Sequence, residues 1–171
     1  MRSVFFAVLL IYIMTAGCAE TKPMVRMEQN VSLSMYQKYE VMAVSNDTGK
    51  NFEFDVADYI TQELKSQMKG KGYALVEGDG GGEKVLLLSS SLVAYEPGSA
   101  AKRWLVPGAG TTQATVRTTL IDKHTGKRVG EMVIPGSVGQ GGLFSIGADK
   151  GILKTIAEEI VKELDARVKG K

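Results

Sequence analysis

The chain has 171 residues, 44% of them hydrophobic, with 21 Lys and Arg set against 19 Asp and Glu for a net charge of +2. Basic and acidic residues are interspersed along it, which excludes the clustered basic face of a nucleic-acid binder. One cysteine cannot form an internal disulfide, and one cysteine with one histidine cannot make a Cys/His metal site; neither a catalytic residue, a metal nor a cofactor is expected.

The amino-terminal residues are ordered as a targeting segment. Arg2 precedes an unbroken apolar run over residues 4–14, and Thr15, Ala16 and Gly17 are small. That is the order of n-region, h-region and cleavage site. A membrane-crossing helix needs about 20 apolar residues, and this run falls well short. The lone cysteine, Cys18, follows directly. Ala16, Gly17 and Cys18 match the last three positions of the bacterial lipoprotein lipobox, and the segment resembles it, with Thr15 standing where leucine is preferred.

That resemblance implies cleavage between Gly17 and Cys18, a thioether from the Cys18 thiol to diacylglycerol, and acylation of the new amine by chains of the palmitate kind. Each buried methylene contributes about 0.8 kcal/mol and one chain holds weakly, so two or three chains make a durable anchor. Ala19 stands where an aspartate would favour inner-membrane retention, so the expected place is the outer membrane, with the domain facing the periplasm. Loss of the leader removes Arg2 and leaves 20 basic against 19 acidic side chains.

The expected organisation is a signal peptide over residues 1–17, a tether over 18–38 and one domain over 39–169, a single-core length. Within the tether, Val31, Leu33 and Met35 alternate and predict an edge strand at its end. Residues 39–44 read as the first core strand, closed by the turn cluster from Ser45 to Gly49. Ala57, Ile60, Leu64 and Met68 then form a helical stripe with Asp55 as N-cap and Gly70 and Gly72 as stops.

Residues 73–76 predict a strand, and Gly78 to Gly82 a loop. Residues 84–95 predict a long central strand, apolar on both faces at Val85 to Leu88, with the serines at 89–91 marking an opening toward solvent. Residues 96–110 break regular structure. Residues 113–122 alternate as a half-buried strand, and Asp122 to Lys127 close a hairpin in which Gly126 supplies a positive φ. Residues 128–134 return, and after the glycine-rich stretch 136–147, Ile152, Ile156, Ile160, Leu164 and Val168 mark a second amphipathic helix. The expected class is α+β: a small mixed or antiparallel sheet of about five strands packed by two amphipathic helices.

Arg103-Trp104-Leu105, Gly108-Ala109-Gly110, the strand 114–122, Thr125-Gly126-Lys127, Gly141-Gly142-Leu143-Phe144 and the terminal helix occur in that order. Together they resemble the DUF4410 family of bacterial lipoproteins, most closely over residues 92–168. The resemblance implies an architecture and a location, and no reaction.

The glycine-rich segments do not read as phosphate cradles. Gly108-Ala109-Gly110 continues to Gln113 where a dinucleotide loop needs glycine, and it precedes a strand. Thr48-Gly49-Lys50 and Thr125-Gly126-Lys127 lack the upstream glycine of a P-loop. His124 falls in the hairpin turn, where an exposed polar residue is ordinary.

Trp104, the only tryptophan, beside Arg103 and with Phe144 in the later glycine-rich segment, forms the candidate partner surface. The expectation is a non-enzymatic, lipid-anchored envelope protein that binds or assembles with an envelope protein. The alternative is a carrier of a small lipid-like amphiphile held between helix and sheet near Trp104.

Overall fold

A computed structural model describes residues 22–78, 82–98, 111–138 and 148–170, excepting the side chains of Val138 and Ala148. Its strands are β1 (Met24–Met27), β2 (Lys38–Val41), β3 (Ser45–Asn46), β4 (Ala74–Leu75), β5 (Val85–Glu96), β6 (Thr112–Asp122) and β7 (Arg128–Val138). The helices are α1 (Val56–Gly70) and α2 (Ala148–Val168), with a 3-10 turn at Leu33–Met35. All the strands join one mixed sheet in the order β1-β7-β6-β5-β2-β4, with β3 continuing beyond β2 along the same edge of β5. The pairs β5/β6, β6/β7 and β7/β1 are antiparallel, while β2 and β3 run parallel to β5 and β4 parallel to β2.

The alternation in β6 sets the two layers. Ala114, Val116, Thr118 and Leu120 are buried, and their partners Leu92, Leu88, Met132 and Ile134 are buried beside them. Both helices cover this face. From α1 come Val56, Ile60, Leu64 and Met68; from α2 come Ile152, Leu153, Ile156, Ile160 and Leu164, none more than 2% exposed. Each such side chain contributes about 1.5–3 kcal/mol by leaving water. The opposite face carries Ser89, Ser91, Arg117, Thr119 and Glu131, half-buried or exposed, with Arg117 Nε 3.5 Å from Glu131 Oε1.

α1 starts where its cap dictates: the Asp55 side chain accepts a hydrogen bond from the Asp58 N–H at 2.8 Å. It ends as Gly72 takes φ +84° and the Tyr73 N–H returns to the Met68 carbonyl at 3.1 Å. α2 lies close on β7 because Gly136 has no side chain; a Cβ there would sit 2.9 Å from Ile156 Cγ1.

The α+β class and its two helices are as expected, but among the described residues the sheet has seven strands and not about five. The extra strands are short. β1 has four residues and β3 two, too few to show a period, whereas β4 falls within the strand expected at 73–76. The edge strand is β1 and not the 31–35 segment: Met24–Met27 pair with β7, so part of the expected tether belongs to the sheet. Residues 33–35 instead form the 3-10 turn, which plants Leu33 in the core at 1% exposure. The serine run is no solvent opening at Ser90, which is buried and shares a 2.9 Å hydrogen bond with Thr118 Oγ1.

Candidate functional site

The described side chains converge on a notch at the end of β5, and a β-bulge makes it. Up to Leu92 the even-numbered residues of β5 face the helices, which would turn Tyr95 outward. The register shifts between Leu92 and Ala94, so that Tyr95 pairs with Ala114 and points to the buried side, 2% exposed. Phe52 and Phe54, on the connection from β3 to α1, meet it there. The Phe52 and Tyr95 rings stand edge to face at 4.8 Å.

Asp149, in the first turn of α2, closes the notch from the third side. Its Oδ1 accepts hydrogen bonds from the Gly98 N–H at 3.1 Å and the Thr112 hydroxyl at 2.6 Å. One carboxylate oxygen therefore ties the end of β5, the start of β6 and the start of α2 together. The enclosed volume is about 260 Å³, with Glu53 and Pro97 on its exposed rim.

The electrostatics are one-sided. Burial, followed by the negative charges of Asp149 and Glu53, pushes the Tyr95 hydroxyl up to about 12. That hydroxyl is buried and has no hydrogen-bond partner among the described residues. Leaving such a group unpaired costs about 1–3 kcal/mol. Among the described residues two cations sit nearby and neither answers it. Lys50 pairs with Glu96, and Lys150 holds its ammonium 5.4 Å from the Phe54 ring centroid and 5.8 Å from that of Tyr59.

The anchor residues Gly17 and Cys18 and the expected partner surface of Arg103, Trp104 and Phe144 lie outside the described residues. In chain order Gly98 stands five residues before Arg103 and Asp149 five after Phe144. His124 is exposed in the hairpin turn, where the Thr125 N–H caps Asp122 Oδ1 at 2.9 Å and Gly126 takes φ +68°. Sequence reasoning passed over Tyr95, Glu53 and Asp149. The run Asn51-Phe52-Glu53-Phe54 before a helix cap was the available signal, two rings flanking a carboxylate.

Among the described residues no group of three or more His, Cys, Asp or Glu is placed to hold a metal ion. No described helix is long and apolar enough to cross a membrane.

No curated protein matches the chain at a significant level. Among solved structures it is similar to the PelC dodecamer from Paraburkholderia phytofirmans, at 14% identity and a TM-score of 0.57, covering 81% of this chain and 96% of that one. It is similar too to the hypothetical protein CT253 from Chlamydia trachomatis, at 10% identity and a TM-score of 0.57, covering 80% and 100%. A third likeness, to lipoprotein GNA1162 from Neisseria meningitidis, has 12% identity and a TM-score of 0.47, covering 75% and 97%. At identities this low the first two speak for the fold alone, and nothing is drawn from the third. The model of the family described as a domain of unknown function, DUF4410, matches residues 21–142. The match takes in β1 through β7 together with α1 and stops before α2, whereas the resemblance read from sequence was strongest from residue 92 onward. By that match over most of its length, the chain belongs to the DUF4410 family.

Proposed function

We propose that this protein is a lipid-anchored component of the bacterial cell envelope that acts without catalysis, by binding an envelope protein. In this reading Cys18 holds it to the outer membrane, the domain faces the periplasm, and the notch at Tyr95 is where the partner is engaged. The leader that ends in Ala16-Gly17-Cys18 supports the anchor. That PelC, of the same fold, is a dodecamer supports including assembly with further copies in the role.

The observation that carries the binding role is the Tyr95 hydroxyl, without a hydrogen-bond partner among the described residues, in a concave site walled by aromatic rings. A partner that supplies the missing hydrogen bond gains free energy that the unoccupied notch forgoes. The carrier alternative needs room between helix and sheet, where Ile60, Leu64, Leu92, Ile156 and Ile160 are packed at no more than 1% exposure.

A photo-crosslinking residue at Glu53, compared with one at Ser66 on the exposed face of α1, tests the reading in the intact envelope. Both positions are exposed, so neither change disturbs the core. A discrete adduct from position 53 and none from position 66 is expected. Identical patterns from the two, or no adduct at 53, would remove the notch from the function.

A further inference from the structure

We propose that the notch takes a primary ammonium group carried on an apolar stem, the chemistry of a lysine side chain. This deepens the binding role proposed above and rests on the notch being its site.

The charges select the ligand. Among the described residues Glu53 has no ion-pair or hydrogen-bond partner, and Asp149 accepts through its Oδ1 alone. Lys50 is paired with Glu96 and Lys150 lies over the Phe54 and Tyr59 rings, so the two carboxylates that line the notch have no ion pair among the described residues. An anion is repelled by this pair of carboxylates. A neutral apolar group would leave the Tyr95 hydroxyl and both carboxylates unanswered.

An ammonium has three donors and no acceptor. Among the described residues that line the notch, Asp149, Tyr95 and Glu53 carry the acceptors that would meet it. Phe52 and Phe54 receive the methylene stem, as apolar surface does for a snorkelling lysine. The chain shows the same preference beside the notch, where the ammonium of Lys150 lies over the Phe54 and Tyr59 rings. A volume of about 260 Å³ is below the range of drug-sized ligand sites and fits one such group. A bare divalent cation is a poorer match, since calcium asks for about six to eight oxygen ligands.

The test is isothermal titration of the full-length protein with N-acetyl-lysine methylamide, its uncharged norleucine isostere, and butylammonium. The lysine derivative should bind with a Kd on the order of 1 mM, weakening as salt rises, and the norleucine isostere should not bind. Tyr95→Phe should weaken binding about tenfold and Glu53→Gln about threefold. Glu53 is exposed and has no partner among the described residues, so its variant folds even if a change at Tyr95 does not. Asp58→Asn, on α1 outside the notch, should leave binding unchanged.

Butylammonium binding as tightly as the lysine derivative supports the ammonium site and assigns it to a free amine; weaker binding supports it and assigns it to a peptide side chain. The proposal is overturned if the isostere binds equally, if the lysine derivative shows no heat at about 10 mM, or if Tyr95→Phe and Glu53→Gln both leave its affinity unchanged. A failed titration alongside a persistent adduct from position 53 retires the ammonium and spares the binding role. Loss of both retires the two together.

Discussion

The Tyr36 hydroxyl donates a 2.9 Å hydrogen bond to Asp122 Oδ2, joining the turn before β2 to the end of β6 across 86 residues of chain. Asp122 Oδ1 accepts from the Thr125 N–H, so the carboxylate serves the hairpin turn and the long-range contact at once. Burial alone would raise the Asp122 carboxyl, but hydrogen bonds from Thr125 and Tyr36 outweigh it and hold the group below its ordinary range. Burial, and then the same bond, lifts Tyr36 well above an ordinary phenol.

Tyr36→Phe should therefore destabilise the protein by about 1.5–3 kcal/mol at neutral pH, the range for a hydrogen bond to a charged group. The folded Asp122 pKa lies below its unfolded value near 3.8, so this stabilisation is present above that pH and is lost as pH falls through the folded value. Urea midpoints of wild type and variant should stand apart at pH 7 and converge below about pH 3.8. A gap that is constant with pH would mean that the bond is not charge-assisted.

Gly136→Ala should cost about 1–3 kcal/mol, because the added methyl meets Ile156 and Ile152 on α2 within 3.1 Å. Gly151→Ala, inside α2 with open space around it, should instead gain up to about 1 kcal/mol. Thermal melts of the two variants should move in opposite directions.

Asp55→Ala removes the N-cap of α1 and should cost about 1 kcal/mol, while Asp55→Asn should restore most of it. Equal stability of all three proteins in urea would show that α1 does not depend on its cap.

Tyr95→Phe should stabilise the ligand-free protein by about 1 kcal/mol, since it deletes a buried hydroxyl without a partner among the described residues. The sign of the pH effect follows from the raised pKa. Stability from keeping Tyr95 neutral is complete below its unfolded value of 10.0 and is lost as pH rises toward about 12. Urea midpoints at pH 8 and pH 11 should fall less in the variant than in wild type.

Where the sequence carried a full period, it was legible. α1 begins and ends where Asp55 and the glycines at 70 and 72 predict, and β6 follows its alternation from Ala114 to Asp122. β1 was not legible because Met24-Val25-Arg26-Met27 mixes long side chains on both faces of an edge strand; its place depends on pairing with residues 130–133. Ser90 looked solvent-facing because a polar residue in a strand is read as exposed, yet Thr118 satisfies it across the ladder.

The candidate site was hidden for a related reason. A bulge turns Tyr95 inward, and no local pattern announces a one-residue shift of register. Glu53 and Asp149 lie 96 positions apart and meet at the notch only through the fold. Cys18 is the reverse case: its meaning lies wholly in local order, with the small residues and the apolar run before it.

Metabolic labelling with an alkyne fatty acid tests the proposed anchor at Cys18 most directly. Wild type should carry the label and sediment with the outer membrane, while Cys18→Ala should lose both the label and the outer-membrane fraction. Unchanged labelling and fractionation of Cys18→Ala would contradict it.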